Sequence, residues 1–500
     1  MENASESCEL PISDQLNNNI NTVRALYTDC YDLVLRSVKA MGHLDVCLIY
    51  LSGISNTEAM NEHVLTPLMT RTEVPIEFSI VDLSQYLHVS ETKELFTMVQ
   101  VVESISNGNP VLFLDTHSVA ISMSLADFEK RPIQEPESEP IIRGPREGFT
   151  EVLETNTSML RRRIKSPDFK LKAMTIGKYS ETKVIVAYVK GLASEGLIKE
   201  VISRLEKIDI DGIVASYSIM ELIQDNKYSL FPQFLETERP DNVAANLMEG
   251  RVCILAENTP VQTIVPTTFF ALLSSPEDYY LNWVFSSLIR LLRLSAIIIS
   301  LLLPSTYIAI LSYHQQMLPT ALMISIASSR ELVPFPPLVE VLIMEFMFEL
   351  LREAGVRLPK QFGSSVSIVG ALVIGQSAVS AGLISAPMVM IVALTGISNF
   401  AVPHYSFSIS FRVLRFVIIL CSGFLGMLGI VYCIIFLLTH LCALRSFGVT
   451  YFSPFDTHQM QQWKDMLLRA PLWKMKTRPH LNGEELNRNK QPNTKEQKNK

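Results

Sequence analysis

In the second half of this 500-residue chain, Glu345, Glu349 and Arg352 follow one another at steps of four and three, which sets all three on one face of a helix. Their neighbours in LVEVLIMEFMFELLREA (Leu338–Ala354) are mostly Leu, Met, Phe and Val. Two carboxylates with a guanidinium one turn on, in apolar company, allow two chemistries. Facing an aqueous path through a membrane, they raise the local cation concentration, with Arg352 holding the carboxylates in place. On a helix lying in the membrane interface, they simply sit in water. The sequence leaves both open. A second stretch, Ser364–Gly382, sorts its residues differently. Ser367, Ala371, Gly375, Ala378 and Gly382 make a stripe of small residues at steps of three and four, suited first to close helix packing and second to lining a pore. Val369, Val373, Gln376 and Ser380 lie off the stripe. There the two valines can form apolar rings that close a path by dewetting, and the two polar side chains can border it or bond a neighbouring helix.

Other chemistries lack their residues. No phosphate loop, nucleophile elbow, zinc-helix histidine pair or dinucleotide fingerprint occurs. The nine histidines are scattered, and His404, His440 and His458 share no ligand spacing. Seven cysteines without a CxxC pair read as reduced thiols, with neither a disulfide frame nor a zinc site. We therefore expect no catalytic residue, no metal, no cofactor and no enzyme activity. A formal charge of -7 gives no footprint for nucleic acid.

The elements that must position these residues follow from charge and turn signals. Gln361–Phe411, Phe416–Leu444 and Leu294–Tyr313 contain no Asp, Glu, Lys or Arg. A helix of about 20 apolar residues spans a bilayer, so these runs are expected in a membrane. Four spans are expected: Leu294–Tyr313, Ser364–Ala381, Leu383–Phe400 and one within Phe411–Leu444. Leu338–Ala354 then lies in the interface or lines a cavity. Ahead of this membrane domain (283–445) the composition is ordinary globular material. MENASESCELPISDQLNNNI lacks the apolar core of a signal peptide, so the front half is expected in the cytosol. Arg290 and Arg293 at the first span and the Lys- and Arg-rich tail (446–500) agree with that orientation.

Within the front half, residues 1–19 read as a flexible terminus and 20–128 as one α+β subdomain. Its strands are Asp45–Leu51, Val111–Leu114 and Ala120–Met123, and its helices Glu58–Met69 and Ser90–Ser106, with Ser90 as N-cap. Prolines 132, 136, 140 and 145 mark 129–148 as a linker and hinge. A second subdomain (149–282) carries helices Phe149–Ile164 and Ser194–Lys207 and strands Lys183–Val189, Arg251–Ala256 and Val261–Val265. No internal repeat of fixed period is visible. The fold class expected is an α+β soluble N-terminal half of two subdomains followed by an α-helical multi-span membrane domain.

Several distributed segments carry a resemblance: ESEPIIRGPREGFTE (Glu137–Glu151), NTSMLRRR (Asn156–Arg163), FPQFLETERPD (Phe231–Asp241), EGRVCIL (Glu249–Leu255) and PEDYY (Pro276–Tyr280). The set continues with MLPTALMISIASSRELVPFPPLVE (Met317–Glu340), ELLREAGVRLP (Glu349–Pro359), IVGALVIGQSAV (Ile368–Val379) and LRSFGVTYFSPF (Leu444–Phe455). In this order they make the chain resemble the A subunit of spore germinant receptors, the GerA family, over nearly its whole length. In the front half the family motif residues include Arg143, Gly144, Pro145 and Arg146, then Glu238, Arg239 and Pro240. The resemblance implies a receptor of the spore inner membrane that acts with a transporter-like B subunit and a lipoprotein C subunit. It implies nutrient sensing coupled to ion release, a homo-oligomer that forms the channel, membrane lipid as a partner, and a germinant bound mainly by the B subunit. The alternatives are a secondary transporter, which should show paired interrupted helices in two related halves, and a membrane-anchored scaffold or signalling protein.

Overall fold

The computed structural model describes residues 11–41, 44–70, 87–127, 136, 139–357, 375–453 and 465–475. They fall into two compact units, one within Met1–Lys227 and Phe234–Pro266 and the other within Tyr228–Gln233 and Thr267–Met475.

The first unit contains two five-stranded antiparallel sheets. One holds β1 (Leu33–Ala40), β2 (Leu44–Leu51), β3 (Thr92–Leu95), β4 (Val111–Leu114) and β5 (Ala120–Met123) in the order β1-β2-β4-β5-β3. The other holds β6 (Phe169–Ile176), β7 (Thr182–Val189), β8 (Leu235–Thr237), β9 (Val252–Ala256) and β10 (Gln262–Val265) in the order β6-β7-β9-β10-β8. Strand for strand the two orders are the same. The repeat absent from the residue pattern is therefore present in the topology.

Both faces of the first sheet are covered. Cys47 and Ile49 of β2 join one core with α1 (Leu16–Leu26) and α2 (Met98–Ser106), while Val46 and Leu48 join another with Met60, Val64 and Leu68. Alternate residues thus feed opposite cores, which is why β2 reads as a continuous apolar run. Each such side chain contributes about 1.5–3 kcal/mol on burial.

Three expectations change here. Residues 11–19 are not a loose terminus: Ile12 and Leu16 are buried in the first core, and Asn19 closes a loop by bonding the Ser13 backbone at both N and O (2.9 and 2.7 Å). The helix expected from Ser90 begins only at Met98. Thr97 and Gln100 form its capping box, and Thr92–Leu95 ahead of it pairs with β5 as an edge strand. The helix expected from Phe149 is α3 (Leu153–Arg163), and the one expected from Ser194 is α4 (Glu195–Glu206).

The junction of the two sheet subdomains is built around α3. Arg161 Nε and Nη2 donate to both oxygens of Asp32 (2.7 and 2.9 Å), and its Nη1 donates to the Phe169 carbonyl (2.9 Å). Both partners are buried. Lys170 Nζ caps the Leu26 carbonyl at 2.7 Å, and the Tyr31 and Thr157 hydroxyls meet at 3.1 Å. Burial pushes the Tyr31 phenol up to about 12, which keeps it neutral at this seam. A seam of buried polar contacts outside the expected linker at 129–148 therefore joins the two sheet subdomains. Residues 129–135, 137 and 138 of that linker lie outside the described residues.

The second unit is helical: α6 (Trp283–Tyr313), Thr320–Ser329, α7 (Pro337–Arg357), Gly375–Ser380, α8 (Ala386–Phe400), α9 (Tyr405–Leu425) and α10 (Met427–Ala443). Of these, α6 and α9 are long and apolar enough to cross a membrane. Ile308, Val341, Met388, Val392 and Ile419 form a core that α6, α7, α8 and α9 share. The single span expected within Phe411–Leu444 is instead a helical hairpin that turns at Gly426 (φ 61°), a conformation open to glycine. Phe231 touches Phe407 and Phe411 near the start of α9 and His440 near the end of α10, so the two helices run antiparallel. The tail boundary at 446 also moves. Arg445–Ser446 pairs with Val449–Thr450, Tyr451 is fully buried, and residues 465–475 belong to this unit. Arg290 and Arg293 are not free flanking cations: both are buried against Asp278.

Candidate functional site

The charged helix is α7, and its partners come from α9. Arg415 Nη1 lies 3.1 and 2.9 Å from the two oxygens of Glu345, and both side chains are 3% exposed. One helical turn away, Glu349 pairs with Arg412 and stands 3.8 Å from Arg352. The Arg352 guanidinium lies over the rings of Phe348 and Phe400 at 5.2 and 5.1 Å. Gly396 makes that stack possible, because a Cβ there would stand 2.3 Å from Phe348 Cζ. A third carboxylate, Glu340, accepts from the Ser385 backbone N (2.6 Å) and hydroxyl (2.5 Å) at the start of α8, with Arg330 at 3.4 Å.

Glu345 and Glu349 are opposed by Arg352, Arg412 and Arg415, and these pairs tie α7 to α9 as Glu340 ties α7 to α8. Sequence reasoning missed Arg412 and Arg415 as partners. They are the sole charges between Gln361 and Leu444, and their i, i+3 spacing sets them on one face of α9 as the i, i+4 spacing sets the two glutamates on one face of α7.

On the second stretch, Gly375 is buried with Val389 3.6 Å from where a Cβ would stand, and Ala378 packs against the shared core. Gln376 and Ser380 are exposed. Val369, Ala371 and Val373 lie outside the described residues.

In the sheet unit the two family motifs meet. Arg239 is fully buried, and its Nη2 donates to the Pro145 carbonyl (2.6 Å) and to Asp241 (2.9 Å). The Phe149 amide donates to the Glu238 carbonyl at 2.7 Å, and Pro240 opens α5 (Pro240–Met248). Arg143, Gly144, Pro145 and Arg146 are exposed. Beside them, Arg162 and Arg163 both bond Glu147. Burial opposes the charged form, but these donors outweigh it and hold the Glu147 carboxyl below its usual range. Such a group contributes stability above its unfolded value of about 4.3, and that contribution disappears as pH falls through the lower folded value. Glu147→Gln should therefore flatten the acid side of the stability profile, read from thermal melts of the full chain between about pH 7 and pH 3. An unchanged acid limb would show that the ion pair contributes nothing.

The motif FPQFLETERPD is divided between the units. Phe234–Asp241 belongs to the sheets, whereas Phe231–Gln233 belongs to the helices. Phe231 sits among Phe407, Phe411, His440 and Tyr451, with ring centroids 5.8–6.4 Å away. Its flanks are bonded as well. Ser229 Oγ meets His440 Nε2 at 2.9 Å, Ser410 donates to the Leu230 carbonyl (2.5 Å), and Ser446 donates to the Gln233 carbonyl (2.6 Å).

A family model described as Bacillus/Clostridium GerA spore germination protein matches residues 21–481. The chain belongs to the GerA spore germination family. Among its relatives, Spore germination protein KA of Bacillus subtilis (strain 168) is 42% identical over 94% of this chain and 87% of its own length. The uncharacterized membrane protein YfkQ of the same organism is 43% identical over 94% of this chain and 91% of its own. A crystal structure of the N-terminal domain of the A subunit of the Bacillus megaterium spore germinant receptor GerK3 is 27% identical. It covers 52% of this chain and 98% of its own, with a TM-score of 0.42. In this GerA-family chain, among the described residues, no group of three or more His, Cys, Asp or Glu could hold a metal ion.

Proposed function

We propose that this chain is the A subunit of a spore germinant receptor in the spore inner membrane. It works with a transporter-like B subunit and a lipoprotein C subunit and couples nutrient binding, mainly by the B subunit, to ion release. The observation that carries the reading is the divided motif in a chain whose family match runs over residues 21–481. One eleven-residue segment (Phe231–Asp241) is anchored at one end among the helices and at the other in the sheets, which is what a coupling element requires. The sheet unit and the tail face the spore core in this reading. Gly375 and Ala378 pack this segment within the chain, copies of the chain assemble around the path, and Val369, Val373, Gln376 and Ser380 border it. The cluster of Glu345, Glu349 and Arg352 with Arg412 and Arg415 holds the helices in their conducting arrangement.

The test reconstitutes the full chain in vesicles with and without its B and C partners and follows ion flux on adding nutrients. Flux that needs the partners and the nutrient is expected, and Val373→Ala should leak without nutrient. Saturable uptake by this chain alone would establish a transporter instead.

A further inference from the structure

The first three turns of α6 present an apolar surface. Asn282, Val284, Phe285, Ser287, Leu288 and Leu291 line a shallow groove there, and Phe285, Leu288 and Leu292 are more than half exposed. The two charges of this stretch are turned inward. Arg290 Nε bonds Asp278 (2.9 Å) and its Nη1 bonds Asp465 (2.9 Å), while Arg293 bonds Asp278 (2.8 Å). Asp465 opens a strap, residues 465–475, that is tied down along its length. Tyr279 donates to Asp465 (2.6 Å), Arg469 Nη1 donates to the Leu281 carbonyl (2.7 Å), and the Arg469 amide bonds Ser287 Oγ (3.0 Å). The strap also turns apolar groups outward, with Leu468, Leu472 and Trp473 at 54, 61 and 72% exposure. Lys474 beside them is exposed.

From this we infer that the base of α6 and the strap form a collar embedded in the bilayer, whose occupant is lipid acyl chain beneath the headgroups. Membrane contact then begins at Trp283 and not at Leu294. Continuity decides for lipid: the same unbroken helix carries the span, and all its exposed residues from Trp283 to Ser295 are uncharged. Length agrees. Thirty-one residues reach about 46 Å, close to the roughly 40–45 Å of a bilayer with its interfaces. That length puts Trp283 and Tyr313 at opposite interfaces, the level aromatic rings prefer. Lys474 sits where a cation meets anionic headgroups. The Asp278–Arg290–Arg293–Asp465 network follows from the same placement, because charges at this depth need partners within the protein.

The inference rests on the helical unit being membrane-embedded, and the test separates the two claims. The full chain is reconstituted in phosphatidylcholine and phosphatidylglycerol vesicles whose acyl chains are brominated near the headgroup. Trp463→Phe with Trp473→Phe leaves Trp283 as the sole reporter of three tryptophans. Its emission should fall about twofold relative to unbrominated vesicles, as expected for an interfacial ring. The difference between the unaltered chain and Trp283→Phe gives the same answer if the double variant folds poorly. Ile298→Trp in a chain lacking the other tryptophans reports the span itself. Quenching there with none at Trp283 overturns the collar, and no quenching at either overturns the membrane reading along with it. A photo-crosslinker replacing Leu288 that joins two copies, with Trp283 unquenched, would assign the groove to a second copy of the chain.

Discussion

Arg161→Met should remove about 3–5 kcal/mol of stability from the sheet unit, the expected result of breaking one partner out of a buried ion pair. The substitution keeps most of the side-chain volume but leaves Asp32 charged at 2% exposure and leaves the Phe169 carbonyl with only the weak Cys30 thiol of its two side-chain donors. Removing both charges, as Asp32→Asn with Arg161→Met, should recover much of the loss, because the stranded carboxylate is the larger part of it. Denaturant unfolding of the full chain in detergent measures this as a lower midpoint at unchanged slope. A midpoint within error of the unaltered chain would mean that the seam between the subdomains carries no stability.

That seam marks the limit of what the sequence reveals about the sheet unit. The six strands read from sequence correspond to β2, β4, β5, β7, β9 and β10, and every one is interior to its sheet. The four that were missed, β1, β3, β6 and β8, are the sheet edges. Interior strands are buried on both faces and appear as unbroken apolar runs such as VCLIYL and VLFL. Edge strands interrupt their apolar residues with lysine, arginine or glutamate, as in LVLRSVKA and FKLKAMTI, and resemble loop or helix. The Asp32–Arg161 contact crosses 129 residues, and no local signal encodes it.

The second large effect is expected in the helical unit. Arg415→Gln should leave Glu345 buried without its partner and abolish nutrient-triggered germination, through loss of assembled protein or of the α7–α9 contact. Glu345→Gln should do the same in reverse, each costing about 3–5 kcal/mol. The double variant Glu345→Gln with Arg415→Gln restores neutrality and should recover folded protein to near the unaltered level. Spore germination and protein level, measured on all three, separate the outcomes. A single variant that accumulates normally and germinates at the ordinary rate would show that the pair holds nothing functional.

The face of α7 that carries Glu345, Glu349 and Arg352 was legible because i, i+4 and i+3 spacing is a local signal. Its partner was not, since Arg415 stands 70 residues away in what read as a single span. Two clues were present together: isolated arginines in an otherwise uncharged stretch, and isolated glutamates in an apolar helix. Charges buried among apolar side chains require each other, and that requirement is a better guide to the contact than the flanking-charge rule.

The turn at Gly426 bears on how this protein is made. One residue joins α9 to α10, a Cβ on it would stand 3.0 Å from the Tyr313 ring, and the Tyr313 hydroxyl donates to the Gly423 and Phe424 carbonyls (2.7 and 3.1 Å). Under the membrane reading proposed above, so short a link leaves no polar loop for the insertion machinery to thread across the bilayer, and the hairpin would enter as one piece against α6. A tag or reporter spliced in at this corner will report on a broken hairpin and not on the side it faces.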